Sequence, residues 1–97
     1  MVRVLIERHC QPGKEAQLRS LLIELRMAAV RQTGYISGET LREAENPSNF
    51  MVISTWITLD AWKAWQTARQ RLSIEEMMEP LIIDERKVRV FIEDYEA

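Results

Sequence analysis

Few side chains in this sequence could carry chemistry, and they fall in two places. The chain's one histidine, His9, precedes its one cysteine, Cys10, and all three tryptophans (Trp56, Trp62 and Trp65) lie within the stretch STWITLDAWKAW. His9 titrates near neutrality and is a candidate general base. Neighbouring strand residues point to opposite faces, so His9 and Cys10 cannot converge on one ligand. With no second histidine or cysteine, no metal site is expected. Glu7 shares a strand face with Leu5 and His9. In apolar surroundings its carboxyl would have a raised pKa and could serve as acid or base; on an open sheet it would pair with Arg3 or Arg89. The tryptophans are either core filling or the wall of a pocket for a flat ligand, and a buried indole N–H needs a partner in both cases. Met77 and Met78 are adaptable packing of the kind that closes over an apolar ligand. Glu75, Glu76 and Glu79 beside them read as a solvated helix face. No Ser-His-Asp order, phosphate loop or nucleotide fingerprint occurs.

Composition narrows the function classes. Ninety-seven residues, 46% hydrophobic and 29% charged, describe one globular domain spanning 1–97. Thirteen basic residues against fifteen acidic give a net charge of −2, with the signs interspersed. Neither nucleic acid nor an anionic membrane is an expected partner. The N-terminal MVRVLIERHC has too short an apolar run for a signal peptide, and no stretch reaches the roughly 18–20 apolar residues of a membrane span. A lone cysteine fits a reducing compartment, so a cytoplasmic location is expected.

The elements that must position these residues follow from periodicity. Val2 to His9 is a strand, and QPGKE breaks it. From about Lys14, Leu18, Leu21, Leu22, Leu25, Ala28 and Ala29 form one wide apolar face of a helix, with a narrower stripe of Ile23, Met27 and Val30 opposite. Gly34 stops that helix. Tyr35 to Glu43 and Phe50 to Ile57 are strands separated by the turn cluster AENPSN. Thr58 caps the next helix, with Asp60 in its first turn. Ser73-Ile74-Glu75-Glu76 has the pattern of a capping box opening a further helical piece, which Pro80 ends. Val88 to Tyr95 is the last strand. The order β-α-β-β-α-β predicts a ferredoxin-like α+β fold, a four-stranded antiparallel sheet with its helices on one face.

Strand patterns then imply a partner. Phe50, Val52 and Trp56 oppose Met51, Ile53 and Ile57; Val2, Val4 and Ile6 oppose Leu5; Val88, Val90 and Ile92 oppose Phe91 and Tyr95. A sheet apolar on both faces needs cover on both, and the helices suffice for one. A homodimer packed sheet on sheet is expected. On the second helix Ala61, Trp65, Ala68 and Leu72 fall in one stripe at about 100° per residue, placing Trp65 against the sheet and Trp62 at the flank.

QPGKEAQLRSLL, TGYISGETLRE and ENPSNFMVISTWITLDAWKAW resemble the corresponding stretches of the antibiotic-biosynthesis monooxygenase (ABM) family, dimeric α+β barrel proteins. The resemblance implies a pocket between sheet and helices in each subunit, where Trp65 projects. It implies a cofactor-independent oxygenase acting on a small aromatic or quinol-type substrate, with no cofactor. Trp65, Trp62, Leu5 and Met77 are the candidate substrate-binding residues, and Glu7 and His9 the candidate catalytic ones. Quinol-oxidising members often carry histidine where this chain has Trp65. Haem-degrading members have tryptophan there, with an asparagine and a histidine at the positions of Glu7 and Glu75. A non-catalytic ligand-binding or regulatory dimer is the alternative, and haem binding a third reading.

Overall fold

Alternation along the first strand decides which side of the sheet becomes the core. In the computed structural model, which describes residues 1–94, Val2, Val4, Ile6 and Arg8 are buried while Arg3, Leu5, Glu7 and His9 occupy the opposite face. The elements are β1 (Val2–His9), α1 (Glu15–Ala29), β2 (Tyr35–Arg42), β3 (Asn49–Trp56), α2 (Leu59–Gln66), α3 (Arg69–Met78), a 3-10 turn (Glu79–Leu81) and β4 (Lys87–Ile92). The strands form one antiparallel sheet in the order β2-β3-β1-β4. This is the expected ferredoxin-like α+β fold, with the helices on one face. Tyr95, expected at the end of β4, lies outside the described residues. Among those residues, no helix is long and apolar enough to cross a membrane.

Helix α1 docks as its pattern predicts, burying Leu18, Leu22, Leu25 and Ala29, while Ile23, Met27 and Val30 stay exposed. The second helical region departs from expectation. Thr58 does cap α2, its Oγ1 accepting from the Ala61 N–H at 3.1 Å. The helix stops at Gln66, however, and α3 restarts at Arg69 behind an extended Ala68. That break shifts the phase of the buried face. Leu72 therefore points outward, 52% exposed, and Arg71, Glu75 and Met78 turn inward at i, i+4 and i+7. Ser73 sits inside α3 rather than capping it, so the capping-box reading is corrected. Pro80 falls in the 3-10 turn that ends the helix.

The sheet is two-sided, as its alternation implies. Toward the helices, Val2, Val4 and Ile6 lie beside Trp56, Ser54 and Val52 of β3. On the open face, Leu5 neighbours Ile53 and Arg89, and Met51 neighbours Glu7 and Leu41. Val88, Val90 and Ile92 of β4 share the helix-side face by register with Ile6, Val4 and Val2 yet remain exposed at the sheet edge.

The turn into β2 has a sharp steric requirement. Gly34 has φ +87°, and a Cβ there would lie 2.6 Å from the Ala61 Cβ and 3.0 Å from the Ile57 Cγ2. A side chain would meet both the left-handed backbone penalty and overpacking against α2. Gly34→Ala should lower the unfolding free energy by at least about 2 kcal/mol in urea titration. Gly13 is also at positive φ, but a Cβ there would have no heavy atom within 4 Å. Gly13→Ala should lose only the backbone part, about 1–2 kcal/mol. Equal losses at the two glycines would show that the α2 contact is not tight in solution.

Candidate functional site

The three tryptophans meet on the helix side of the sheet. Trp56 ends β3 fully buried and donates its Nε1–H to the Ser54 Oγ at 3.0 Å. Trp65 of α2 stacks on it, centroids 6.2 Å apart and planes at 26°. Trp62 approaches at 6.1 Å and 59°, and Tyr35 of β2 meets Trp56 edge-on at 5.3 Å. All three separations lie in the range where aromatic pairs attract beyond their burial. Trp62, expected at a flank, is as buried as Trp65.

These rings wall a cavity between sheet and helices. Ile6, Val52 and Ser54 form its sheet side, α1 contributes Leu22, Leu25 and Ala29, and Arg8 and Arg71 also line it. The space open to the centre of a water-sized sphere is about 40 Å³, room for a few waters, since one needs roughly 10–15 Å³ on that measure. Gly38 leaves the place that the Tyr35 hydroxyl occupies: a Cβ there would lie 2.6 Å from it.

Behind the rings is a buried ionic cluster. Glu75 of α3 accepts from the Arg8 Nη2 on both oxygens at 2.9 Å and from the Arg71 Nη2 at 2.8 Å. The Arg86 Nε completes the cluster as an ion pair 3.2 Å from the Glu75 Oε2. Arg8 and Arg71 are each 1% exposed. Burial pushes both guanidiniums below their ordinary pKa, with Glu75 opposing the shift, and both remain cations at physiological pH. Arg71 also donates Nη1–H to the Gln66 carbonyl at 3.1 Å, holding the broken helix junction, and lies over the Trp62 ring at 5.3 Å. The Arg8 Nε and Nη1 and the Arg71 Nε are buried with no hydrogen-bond partner among the described residues. Glu75 is thus not part of a solvated face with Glu76 and Glu79, which are exposed.

The candidate catalytic pair is elsewhere. Glu7 and His9 lie on the open face of β1, as odd-numbered residues of a strand whose even residues face the helices. The structure therefore separates them, and Leu5, from the tryptophan cavity. His9 Nε2 lies 2.9 Å from the Glu7 Oε2, and His9 Nδ1 lies 3.1 Å from the Asp84 Oδ2. Asn49 donates to the same Glu7 oxygen at 3.0 Å and to Glu43 at 2.9 Å. The Glu7 carboxyl sits below its ordinary value, chiefly because His9 and then Asn49 hydrogen-bond to it. This reverses the raised value expected of an apolar setting. His9 is raised, by Glu7 first and Asp84 second. A carboxylate beside each nitrogen favours the imidazolium donating to both, a form with no free lone pair to accept a proton. Met77 is 55% exposed and points away from the cavity, while its neighbour Met78 is buried.

Sequence reasoning missed Arg8, Arg71 and the inward side of Glu75. Two signals could have found them: Arg8 continues the Val2, Val4, Ile6 series, and Arg71 and Glu75 are four apart on one helix. Haem does not fit at the position where the resemblance implies an axial histidine: Glu75 stands there with both oxygens engaged by Arg8.

Fold and cavity together define an α+β protein of the ferredoxin-like class with an aromatic pocket under its helices. The chain belongs to the antibiotic biosynthesis monooxygenase family, whose model matches residues 1–76. It is similar in structure to Rv0793 from Mycobacterium tuberculosis, at TM-score 0.88 and 18% identity over 99% of this chain and 97% of that one. It is also similar to SnoaB, a cofactor-independent oxygenase from Streptomyces nogalater, at TM-score 0.83 and 18% identity over 98% and 95% of the two chains. A conserved protein from Methanosarcina mazei Go1 aligns at TM-score 0.88 and 17% identity over 93% and 89%. No curated protein sequence matches the chain.

The buried cluster makes a stability prediction. Glu75→Gln leaves three guanidiniums without their carboxylate and should lower the unfolding free energy by about 3–5 kcal/mol, against under about 0.5 for Glu76→Gln on the exposed face. A loss at Glu75 no larger than that at Glu76 in urea titration would place the carboxylate in solvent.

The open-face pair makes a pH prediction. The His9 pKa is raised from 6.5, so its pairing stabilises fully below that value and fades as pH climbs through the raised one. The Glu7 pKa is lowered from 4.5, so its contribution is present above that value and fades as pH falls through the lowered one. The stability difference between the parent and His9→Gln should therefore be largest between these limits and shrink on either side. A difference that grows toward about pH 9 in urea titration would contradict the doubly bonded cation.

Proposed function

We propose that the chain is a homodimeric, cofactor-independent oxygenase acting on a small, flat, electron-rich aromatic of phenol or hydroquinone type. The observation that carries this reading is the convergence of Trp56, Trp62 and Trp65 on one cavity. Family membership and the likeness to SnoaB support it. Trp65 and Trp62 are the proposed substrate walls, and the substrate ring takes the place of the few waters the present space can hold as the two indoles shift outward to admit it.

The chemistry needs no reductant beyond the substrate. A phenolate carbon transfers electrons to O2 and forms a C–O bond, and the resulting hydroperoxide loses water to leave a quinone carbonyl. One oxygen atom ends in the product and the other in water. The protein's part is to exclude bulk water, hold the ring and stabilise the developing anion with fixed donors. Tyr35, Ser54 and Thr40, which line the cavity, carry the hydroxyls proposed for this.

The dimer forms through the open face. Leu5, Met51 and Ile53 are half-buried there, beside Leu41 and Phe91 at 45% and 44% exposure, and a second copy is the economical cover. Glu7 and His9 would then sit in or beside the subunit interface. One observation favours the alternative of a non-catalytic ligand-binding dimer: among the described residues no carboxylate or imidazole lines the cavity, so proton removal would fall to water.

Two measurements test these proposals. Oxygen uptake with a panel of hydroquinones and polyphenols, with catalase present to remove peroxide from autoxidation, should exceed the uncatalysed rate and fall at least about tenfold in Trp65→Ala if the substrate ring stacks there. Catalysis unaffected by that change would remove Trp65 from the site; binding without uptake would select the non-catalytic reading. Light scattering should show a dimer at micromolar concentration that Ile53→Glu converts to a folded monomer, and a monomeric parent would refute the interface.

A further inference from the structure

The buried charge beside the tryptophans does not balance. Two buried guanidiniums, of Arg8 and Arg71, and the partly exposed one of Arg86 face one carboxylate, Glu75. The charged groups acting on Arg8 are Glu75 and Arg86, and on Arg71 they are Glu75, Arg86 and Arg8. Among the described residues no second carboxylate enters either set, so the buried part of the cluster, Arg8 and Arg71 against Glu75, holds one positive charge in excess.

That excess lies beside the cavity. Arg8 and Arg71 both line it, both are 99% buried, and between them three nitrogens have no hydrogen-bond partner among the described residues: Arg8 Nε, Arg8 Nη1 and Arg71 Nε. Buried donors without acceptors are rare in folded proteins and ask for an explanation. Water can fill some of them, but it brings no charge. A carboxylate on the ligand would answer both the missing acceptors and the missing charge, through charge-assisted hydrogen bonds of the strong kind.

We infer that the cavity takes an aromatic ligand bearing a carboxylate, with the ring against Trp65 and Trp62 and the anion on the free donors of Arg8 and Arg71. The orientation follows from the layout. Glu75 fixes one nitrogen of each arginine, and Gln66 fixes a second on Arg71, which leaves the remaining donors pre-positioned. Glu75 is thereby a positioning residue that aims the two guanidiniums, and Arg8 and Arg71 are the groups that touch the ligand. The inference rests on the tryptophan cavity being the substrate site, as proposed above, and narrows its substrates to aromatic acids.

The test uses one ring with and without the charge. Tryptophan fluorescence of the intact protein is titrated at about pH 7, where the acid is ionised, with 2,5-dihydroxybenzoate and with its neutral methyl ester. The acid should bind at least about tenfold more tightly, a difference of about 1.4 kcal/mol. In Arg8→Gln the preference should fall below about twofold. Because that substitution also disturbs the buried cluster and can cost the fold, the parent's thermal shift with benzoate and with benzyl alcohol is a second measure, and only benzoate should stabilise. Equal affinity for acid and ester in the parent, or a preference unchanged in a folded Arg8→Gln, overturns the inference. Oxygen uptake in the same titrations separates the two proposals. Equal binding with oxidation of both compounds leaves the oxygenase standing without the anion site, and preferential binding of the acid without oxidation leaves the anion site standing without the oxygenase.

Discussion

A single carboxylate ties the parts of this molecule that the chain brings from furthest apart. Glu75 on α3 holds Arg8 at the end of β1, Arg71 one turn earlier on its own helix and Arg86 just before β4. Taking such charges out of water costs several kcal/mol per ion, and an apolar cluster of equal volume would often be as stable. The hydrogen bonds recover part of that cost but leave donors over. The cluster therefore contributes placement more than net stability. It fixes where α3 lies over β1, and so where the α2–α3 junction and its two tryptophans come to rest.

The tryptophans depend on that placement and on the sheet in turn. Trp56 is the fixed member, at the end of a strand, fully buried and hydrogen-bonded to Ser54. Trp62 and Trp65 come from α2, whose start is set by the Thr58 cap and whose approach to the sheet is limited by Gly34 against Ala61. Arg71 then closes the junction by bonding the Gln66 carbonyl and covering Trp62. The tight glycine contact at one end and the ionic cluster at the other set the small space between rings and strands.

Much of the fold was legible because its strands alternate strictly and its first helix has one apolar face. Val2, Val4 and Ile6 on β1, and Leu18, Leu22 and Leu25 on α1, are placed by period alone. The site was less legible, for two physical reasons. Charge masked position: Arg8 continues the buried series of β1, but a lone arginine on a strand suggests solvent until a partner is known, and its partner is 67 residues away. Phase was lost at Thr67: carrying one helical register from Ala61 to Leu72 put Leu72 inside, and the break at Ala68 turns it out, while Glu75 was set outside only by its charge beside Glu76 and Glu79. On β1, Glu7 and His9 are chemistry-bearing types whose parity sets them on the open face.

The two faces of the sheet now carry different physics. On the open side, acid and base are matched: His9 lies between Glu7 and Asp84, and the Glu7 oxygen also receives Asn49. Glu7, His9 and Asp84 each have an opposite charge beside them and access to water. On the helix side, Glu75 is the one counter-ion that two buried guanidiniums share among the described residues, and water is scarce. A buried cation in excess of its counter-ion is tolerated in such a place only while the surrounding fold holds it. The cavity borders the buried ends of Arg8 and Arg71 and the indoles of Trp62 and Trp65 together, so an incoming aromatic anion would meet its apolar and its ionic partners in one step. Folding has already removed most of the water from the guanidiniums, each 1% exposed, so the ligand's own desolvation is the main electrostatic cost left for binding to overcome.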